Sequence, residues 1–420
     1  MHRLMTLLTA LLFVLFPVIA QALPTASPEE VGLSKERLAR IAPALSRQIE
    51  AKSFPGAVAM VVRKGKIAYF ETVGLLDPKS GSPMTKDAIF RLYSMTKPFT
   101  SVATMMLVED GRIRLTDPVG MYLPQLAKLE VLVQTTDSSG KPSFTTVPAQ
   151  RPMQVYDLLR HTSGLVYGSF TPNARIKELY ANANVNWQGV TAQEQLDSFS
   201  KVPLAHQPGA AWEYSMSTDI AGRVVEAVTG TSLSRFLDER IFKPLRMMDT
   251  TFVVPSQHAK RIAQPLATDK ATGNPITLLD VTVAPKNDAG GAGAAGTTID
   301  YARFLQMLAN GGQLDGQRLL ARTTVRQMTS DHLGDIKPAM ALLAPGYGFG
   351  LGFAVRRADG LNGAPGSAGE FNWGGAGGTT FWVDPKEQLV AVLMTQAQPG
   401  SWQREFKELF RQLVYQAIVD

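Results

Sequence analysis

Residues 91–100 read Arg-Leu-Tyr-Ser-Met-Thr-Lys-Pro-Phe-Thr, which places Ser94 and Lys97 three positions apart at the start of a predicted helix. Positions i and i+3 of a helix share one face, so the Ser94 hydroxyl can give its proton to the Lys97 amine. Pro98 suits the first turn, where backbone N–H groups have no partner within the helix. The apolar segment 99–108 predicts a buried helix, and burial disfavours the charged form of an amine. The stretch therefore predicts a serine nucleophile with a lysine base.

A serine and a lysine at this spacing are weak evidence by themselves, because roughly one or two matches are expected by chance in a chain of this length. Two further matches are present, Ser138–Lys141 in a polar loop and Ser198–Lys201 among polar residues. Neither opens an apolar helix. The alternative interpretation of Ser94–Lys97 is an ordinary helix cap with a solvated lysine.

Outward from this segment, strand patterns occur near both ends of the chain. Two apolar runs separated by Lys64-Gly65 predict a β-hairpin, and two more flank a turn at residues 384–387. The predicted strands cover residues 56–63, 67–70, 379–383 and 388–394, and helices are predicted at about 35–52 and 402–418. Both chain ends thus supply antiparallel strands and a helix.

The middle of the chain differs, because residues 95–283 carry mostly helical or loop-like patterns interrupted by proline and glycine. Strands at both ends with helices between them predict an α+β fold: an antiparallel sheet built from both chain ends and flanked by helices, with an inserted, mainly helical lobe. The predicted boundaries are residues 23–93 and 284–420 for the α/β sheet domain and 94–283 for the helical domain that carries the nucleophile. Residues 138–143 are expected to form an exposed loop.

The N-terminal residues predict export. Met1-His2-Arg3 give a positive start, residues 4–19 form an apolar run, and Ala20-Gln21-Ala22 provide a small-x-small cleavage site. This arrangement is typical of a secretory signal peptide over residues 1–22, whereas the run is short for a membrane anchor. We therefore expect a periplasmic or secreted protein without stable membrane insertion after signal cleavage.

Composition narrows the classes of function. The 420 residues are 45% hydrophobic and 19% charged, as in ordinary globular proteins. The absence of cysteine excludes disulfides, thiolate metal sites and cysteine nucleophiles. The formal net charge of +6 is mild and no run of lysine and arginine forms a nucleic-acid footprint, so no nucleic-acid partner is expected. The five histidines include no H-x-x-x-H pair, so we expect no metal and no cofactor. The oligomeric state is left open.

Three further segments give the serine–lysine pair its context. After Ser94-Met95-Thr96-Lys97 come residues 158–165 (Leu-Leu-Arg-His-Thr-Ser-Gly-Leu), 208–215 (Pro-Gly-Ala-Ala-Trp-Glu-Tyr-Ser) and 371–379 (Phe-Asn-Trp-Gly-Gly-Ala-Gly-Gly-Thr). In this order and at these spacings, the chain from about Leu33 to its C-terminus resembles the serine-hydrolase family that includes class C β-lactamases, D-alanyl-D-alanine peptidases and family VIII carboxylesterases. The resemblance implies a β-lactamase/transpeptidase-like fold.

The resemblance also implies roles in an acyl-enzyme mechanism. Ser94 would be the nucleophile, Lys97 its base, and Tyr214 a phenol that passes protons to the leaving group and from water. The backbone N–H groups of Ser94 and Ala376 would form the oxyanion hole. Without the flanking motifs, Tyr214 would be interpreted as a core tyrosine, and the glycine-rich stretch beside Ala376 as a bulged edge strand.

Two departures from the β-lactamase pattern point to the substrate. Tyr214-Ser215-Met216 stands where those enzymes have Tyr-x-Asn, and Trp373-Gly374-Gly375 stands where they have Lys-Thr-Gly. The missing lysine would have helped to hold a free carboxylate, and the tryptophan suits an uncharged, apolar ester. We therefore expect a carboxylesterase for short-chain or apolar esters, with a small-molecule ester or acyl substrate bound against Trp373, Gly374 and Gly375.

Two alternatives stay open. The first is a β-lactamase or D-alanyl-D-alanine carboxypeptidase with an altered carboxylate site. The second is a catalytically idle module that binds cell-wall peptides, although the presence of Ser94, Lys97 and Tyr214 together argues against it.

Other signals have simpler interpretations. Gly291–Gly296 spells G-x-G-x-x-G, but it lacks the preceding strand of a dinucleotide site and predicts a tight loop before a helix at 298–308. His161 is expected to be a structural hydrogen-bonding residue, because the chain has no G-x-S-x-G nucleophile motif. Tyr167 and Phe170 are candidates for closing the pocket, which the sequence alone does not assign.

Overall fold

The computed structural model describes residues 23–397 and 403–420. The predicted signal peptide, residues 1–22, lies outside the described residues. Eleven α-helices occur in the described part of the chain: α1 (Lys35–Leu38), α2 (Ile41–Glu50), α3 (Lys97–Glu109), α4 (Val155–Leu159), α5 (Ala174–Asn182), α6 (Ala192–Phe199), α7 (Ser217–Thr229), α8 (Leu233–Leu237), α9 (Thr298–Ala309), α10 (Arg322–Met328) and α11 (Gln403–Tyr415).

The described part of the chain also contains fourteen β-strands. They are β1 (Gly56–Arg63), β2 (Lys66–Asp77), β3 (Ser82–Pro83), β4 (Ile89–Arg91), β5 (Glu130–Thr136), β6 (Pro142–Pro148), β7 (Ala295–Thr297), β8 (Gln313–Leu314), β9 (Gln317–Arg318), β10 (Tyr347–Phe349), β11 (Ala354–Arg356), β12 (Phe371–Gly374), β13 (Thr380–Asp384) and β14 (Leu389–Thr395).

Eight of these strands form one antiparallel sheet in the order β10-β11-β12-β13-β14-β1-β2-β3. The N-terminal hairpin β1–β2 joins the C-terminal strands through β14, where Val61 pairs with Ala391. The sheet is therefore built from both ends of the chain, with the helices that lie between them in sequence placed beside it. This architecture confirms the predicted α+β, β-lactamase/transpeptidase-like fold.

The central strands are covered on both faces. Val58 and Met60 of β1 belong to the large core that includes α3 and α9, whereas Ala59 and Val61 belong to the core that includes α2 and α11. Successive side chains of a strand lie on opposite faces, so a strand buried on both sides is apolar at every position. This explains why residues 56–62 form an uninterrupted apolar run rather than an alternating one.

Helix α3 lies in the centre of the larger core. Its residues from Lys97 to Leu107 are all buried. Phe99 packs edge-on against Phe242 and Phe304, with ring centroids 5.1 and 4.7 Å away. Because Phe99 is the third residue of α3, these aromatic contacts help to fix the N-terminal end of the helix within the core. The nucleophile segment is attached at that end.

Two sequence predictions need correction. The helix expected at residues 35–52 is two helices, because Pro43 has no N–H to donate to the carbonyl of Ala39 and its ring would clash with that carbonyl in a continuous helix. The segment expected to be helical or loop-like contains the hairpin β5–β6, and residues 137–141 form its turn. Its strands are mostly exposed, so they lack the apolar alternation that marks a half-buried strand.

Within residues 23–397 and 403–420, no helix combines the length and the apolar character that crossing a bilayer requires.

Candidate active site

Ser94 lies in a short 3-10 turn, Tyr93–Thr96, that leads from β4 into α3. Tyr93 has a φ of +46°, in the left-handed region that residues other than glycine rarely adopt. Its hydroxyl accepts a hydrogen bond from Leu279 N–H at 2.9 Å, and burial raises the pKa of this phenol. The anchored turn presents Ser94 at the N-terminus of α3, where backbone N–H groups lack partners within the helix.

The three side chains that the sequence predicts as catalytic meet at Ser94 Oγ. Tyr214 Oη lies 2.6 Å from this oxygen, and Lys97 Nζ lies 3.4 Å from it. Lys97 Nζ also lies 4.6 Å from the centroid of the Tyr214 ring. Ser94 and Lys97 come from the start of α3 and Tyr214 from the segment before α7, and these two helices pack together. A proton can therefore pass among the three groups without a large movement of any side chain.

Lys97 is only 1% exposed, and its amine is held by several groups. Nζ donates hydrogen bonds to Gly291 O at 2.8 Å and to Tyr167 Oη at 3.1 Å, and Ser94 Oγ lies 3.4 Å from it. Asp219 lies on the other side of the Gly291 peptide and accepts its N–H at 3.2 Å. Burial raises the pKa of Asp219, while the charge of Lys97 opposes that rise. Lys97 is thus oriented by a backbone carbonyl and a buried phenol rather than by an exposed ion pair.

The glycine-rich segment closes around this lysine. A Cβ on Gly291 would lie 2.4 Å from Asp219 Oδ2 and 3.2 Å from Lys97 Nζ, so a side chain has no room there. The segment runs into β7 and then α9, in agreement with the predicted loop before a helix. Gly291 allows the backbone to approach Lys97, whereas a Cβ on Gly293 would meet Phe252 and one on Gly296 would meet Thr250. Close packing thus accounts for all three glycines without a nucleotide.

Tyr167 is a site residue that the sequence does not assign. Its hydroxyl contacts Lys97, and its ring centroid lies 5.4 Å from that of Tyr214. Burial raises the pKa of Tyr167 well above its ordinary value, so the phenol stays neutral. The only sequence signal is its position two residues after the 158–165 segment, and a buried core tyrosine would give the same signal.

His161 packs against Tyr214 and is hydrogen-bonded to the neighbouring Ser215. Its Nδ1 lies 3.0 Å from Ser215 Oγ, and its ring centroid lies 4.9 Å from that of Tyr214. Burial lowers the pKa of His161 well below its ordinary value, so the ring is neutral. Ser215 Oγ also lies 2.6 Å from Ser217 Oγ. This chain of neutral groups fits the structural role that the sequence predicts for His161.

A cavity of about 540 Å³ opens beside Ser94. Much of its wall is apolar and comes from Phe170, Met340, Leu342 and Trp373. The Trp373 ring packs against Tyr214, with centroids 5.2 Å apart. An uncharged group of several carbon atoms can therefore be buried beside the nucleophile.

The segment after β12 forms one side of this cavity. Gly374, Gly375 and Ala376 all line it together with Ser94. A Cβ on Gly375 would lie 2.3 Å from Leu92 O, so only glycine allows this segment to approach the nucleophile turn. Ala376 O accepts a hydrogen bond from Gln403 Nε2 at 2.8 Å. The residues that the sequence predicts for substrate binding, Trp373, Gly374 and Gly375, thus line the same cavity as Ser94.

Lys407 of α11 also lines the cavity, and sequence reasoning does not identify it. Its Nζ donates to Gln403 Oε1 at 3.1 Å. Burial lowers the pKa of the Lys407 amine to about 8. In the sequence this lysine is one of several charged residues on an amphipathic helix, and nothing distinguishes it from its exposed neighbours.

The other serine–lysine matches do not form comparable sites. Ser138 lies in the exposed turn of the β5–β6 hairpin. Ser198 lies on α6, and its hydroxyl donates to Glu194 O at 2.8 Å. Among the described residues no group of three or more histidine, aspartate and glutamate side chains is arranged to hold a metal ion.

Comparisons with known proteins identify the family of the chain. The chain matches the family model described as Beta-lactamase over residues 41–416. It is 36% identical over 355 residues to Protein Rv1367c of Mycobacterium tuberculosis. The aligned region covers 82% of this chain and 86% of that protein. Esterase EstB of Burkholderia gladioli is 30% identical over 379 residues, covering 85% of this chain and 90% of the esterase.

A solved structure shows the same fold. EstCE1, described as a hydrolase with promiscuous acyltransferase activity, superposes with a TM-score of 0.72 at 25% identity, covering 90% of this chain and 99% of that one. The family match extends over most of the chain and includes the Ser94, Tyr214 and Trp373 segments. The chain therefore belongs to the Beta-lactamase family of serine hydrolases.

Proposed function

We propose that the chain is a carboxylesterase that forms an acyl-enzyme on Ser94. One observation carries the proposal: Ser94 Oγ lies 2.6 Å from Tyr214 Oη and 3.4 Å from Lys97 Nζ, at the wall of a cavity that is mostly apolar. A serine hydroxyl needs an adjacent base and a nearby electrostatic stabiliser to attack a carbonyl, and both lie within reach.

In the acylation step, Ser94 Oγ attacks the ester carbonyl carbon and its proton passes to the Lys97 amine, directly or through Tyr214. The carbonyl oxygen becomes an oxyanion, and the backbone N–H groups of Ser94 and Ala376 stabilise it. The intermediate then expels the alcohol oxygen, which takes a proton from Tyr214. Water attacks the acyl-enzyme by the reverse sequence of proton transfers, and the carboxylic acid leaves.

The cavity walls support an ester rather than a peptide or β-lactam substrate. Trp373 occupies the position at which the related β-lactamases have a lysine, and Phe170, Met340 and Leu342 extend the apolar wall. An acyl chain gains about 0.8 kcal/mol for each CH₂ group it buries there. Similarity to Esterase EstB over 85% of this chain supports the same class of reaction.

A hydrolysis profile tests the proposal. The protein and Ser94→Ala are assayed with p-nitrophenyl esters of acyl chains from two to twelve carbons, with nitrocefin alongside. Ester turnover that is lost in Ser94→Ala, with little turnover of nitrocefin, is the expected result. Strong nitrocefin cleavage would favour the β-lactamase or peptidase alternative, and an absence of Ser94-dependent turnover would favour the peptide-binding module.

We also propose that residues 1–22 are a signal peptide and that the enzyme acts in the periplasm or outside the cell. The positive start, short apolar run and Ala-x-Ala site support this. Mass spectrometry of the protein recovered from the periplasm of an expressing bacterium should give a chain that begins at Leu23. A recovered chain that begins at Met1 would contradict the proposal.

A further inference from the structure

Lys407 brings a cation from the C-terminal helix to the same cavity as Ser94. Its Nζ lies 3.4 Å from the position that a Cβ would take on Gly374, the last residue of β12. Ala376, which we propose as an oxyanion donor, follows two residues later. The Lys407 amine therefore lies beside the C-terminal end of β12, next to the segment that we propose faces the reacting carbonyl.

The charge of Lys407 has no carboxylate partner. In the part of the chain that the structure describes, no aspartate or glutamate forms an ion pair with it, and its hydrogen-bond acceptor is the neutral amide of Gln403. Of the neighbouring charges on α11, Arg404 pairs with Glu408 and Arg411 with Glu370, while Glu405 is exposed to solvent. A buried or half-buried cation without an anion is costly unless a ligand supplies one.

Gln403 connects this amine to Ala376, in the turn after β12. Its Oε1 accepts from Lys407 Nζ, and its Nε2 donates to Ala376 O at 2.8 Å. An anion bound by Lys407 would thus lie next to the backbone that faces Ser94, within the same cavity. Binding an anion there would also favour the charged amine, whose pKa burial lowers to about 8.

We propose that Lys407 binds a carboxylate of the substrate, so that the preferred substrates are esters that carry a carboxylate in addition to the scissile ester. Trp373 by itself predicts an uncharged substrate, but Lys407 supplies from α11 the cation that is missing from the third motif. The apolar walls would bury the hydrocarbon part of the same molecule. This inference rests on the proposed ester hydrolysis at Ser94.

The test compares matched esters that differ only in a carboxylate. 4-Acetoxybenzoate and its methyl ester place the charge on the alcohol side, and phenyl hydrogen adipate and phenyl hexanoate place it on the acyl side. For each pair, the ratio of kcat/KM for the acid to that for the neutral ester is measured in the parent, Lys407→Met, Lys407→Arg and Arg404→Met. Arg404→Met removes one charge from the exposed side of the same helix and is the matched control.

We expect Lys407→Met to lower this ratio by about tenfold or more in at least one pair, as for the loss of a hydrogen bond to a charged group. Lys407→Arg and Arg404→Met should keep the ratio within about threefold of the parent value. If Lys407→Met lowers the turnover of acid and neutral esters equally in both pairs, or leaves both ratios unchanged, the inference is wrong.

A binding measurement separates this inference from the proposed function. Phenylboronic acid and 3-carboxyphenylboronic acid add to a reactive serine as tetrahedral adducts, so their affinities can be measured by calorimetry without turnover. A preference for the carboxylated compound that is lost in Lys407→Met supports the anion site even if no ester is hydrolysed. Equal affinities in the parent would contradict the anion site while leaving ester hydrolysis at Ser94 intact.

Discussion

The phenolic oxygen of Tyr214 lies 2.6 Å from Ser94 Oγ, closer than the amine of Lys97 at 3.4 Å. Tyr214 is therefore the nearer proton partner of the nucleophile, and we expect the proton that leaves Ser94 to pass through it. Tyr214→Phe removes this path but keeps the ring packed against Trp373, 5.2 Å away. We expect kcat for p-nitrophenyl butyrate to fall by about 10²–10⁴-fold, the usual contribution of a general acid or base.

The fold should not change in this variant, because the ring that fills the space is retained. The melting temperature, followed by circular dichroism, should stay close to that of the parent. A kcat within threefold of the parent value would show that Tyr214 has no part in proton transfer, and Lys97 alone would then have to serve as the base.

Tyr167 Oη accepts a hydrogen bond of 3.1 Å from Lys97 Nζ. Tyr167→Phe should release the amine from one of its fixed partners and so reduce the fraction of molecules in the reactive geometry. We expect kcat to fall by about tenfold with KM changed less than threefold. Steady-state kinetics with p-nitrophenyl butyrate measures both values.

Tyr180→Phe is the matched control for this variant. Tyr180 is also buried, and its hydroxyl accepts the N–H of Val166 at 3.3 Å instead of contacting Lys97. Loss of that bond should lower the free energy of unfolding by about 1 kcal/mol and leave kcat at the parent value. Equal losses of kcat in the two variants would show that Tyr167 acts only through general packing.

Gly291 is the point at which backbone passes between Lys97 and Asp219. In Gly291→Ala the new Cβ would lie 2.4 Å from Asp219 Oδ2, so the carboxylate, the loop or the lysine must move. We expect kcat/KM to fall by about 10²-fold and the free energy of unfolding to fall by about 1–3 kcal/mol, as for other overpacked sites. Urea unfolding and ester kinetics on the same preparation give both numbers.

Gly363→Ala provides the control for a methyl group added to a glycine. A Cβ at this position would meet no atom within 4 Å. Its activity and stability should equal those of the parent. Parent-like activity in Gly291→Ala would show that the glycine-rich loop can yield without disturbing Lys97.

The sequence predicts the central strands and the buried helix that follows Ser94 well because each has a local signal. The run of residues 56–62 is apolar throughout since both faces of β1 are buried. The Ser94–Lys97 spacing is itself a local property of the start of α3. The exposed hairpin β5–β6 has no such signal, because neither face packs against the core along most of its length.

The parts of the site that the sequence misses depend on contacts between distant segments. Tyr167 reaches Lys97 across 70 positions of sequence, and its type and spacing are those of any core tyrosine. Lys407 comes from the last helix, where charged residues are expected on the solvent face. Lys407 lines the cavity because α11 packs against the sheet. No pattern within the helix could have identified it.

Asp300, in the first turn of α9, makes the stability of the fold depend on pH. Burial raises the pKa of its carboxyl to about 6, from an ordinary value of 3.8. Between these two values the native protein holds a proton that the unfolded chain has released. The free energy of unfolding should therefore fall as the pH rises from about 4 to 6, by roughly 2–3 kcal/mol from this group.

Asp300→Asn removes this titration and keeps an oxygen that can accept the hydrogen bonds of Asp249 N–H and the Thr250 hydroxyl, which lie at 2.8 and 2.9 Å. We expect the variant to lose less stability than the parent between pH 4 and pH 7, as measured by urea unfolding at each unit of pH. Asp335→Asn changes an exposed carboxyl and should follow the parent. If the curves for Asp300→Asn and the parent run parallel over this range, the Asp300 carboxyl does not gain a proton on folding, and its hydrogen bonds outweigh its burial.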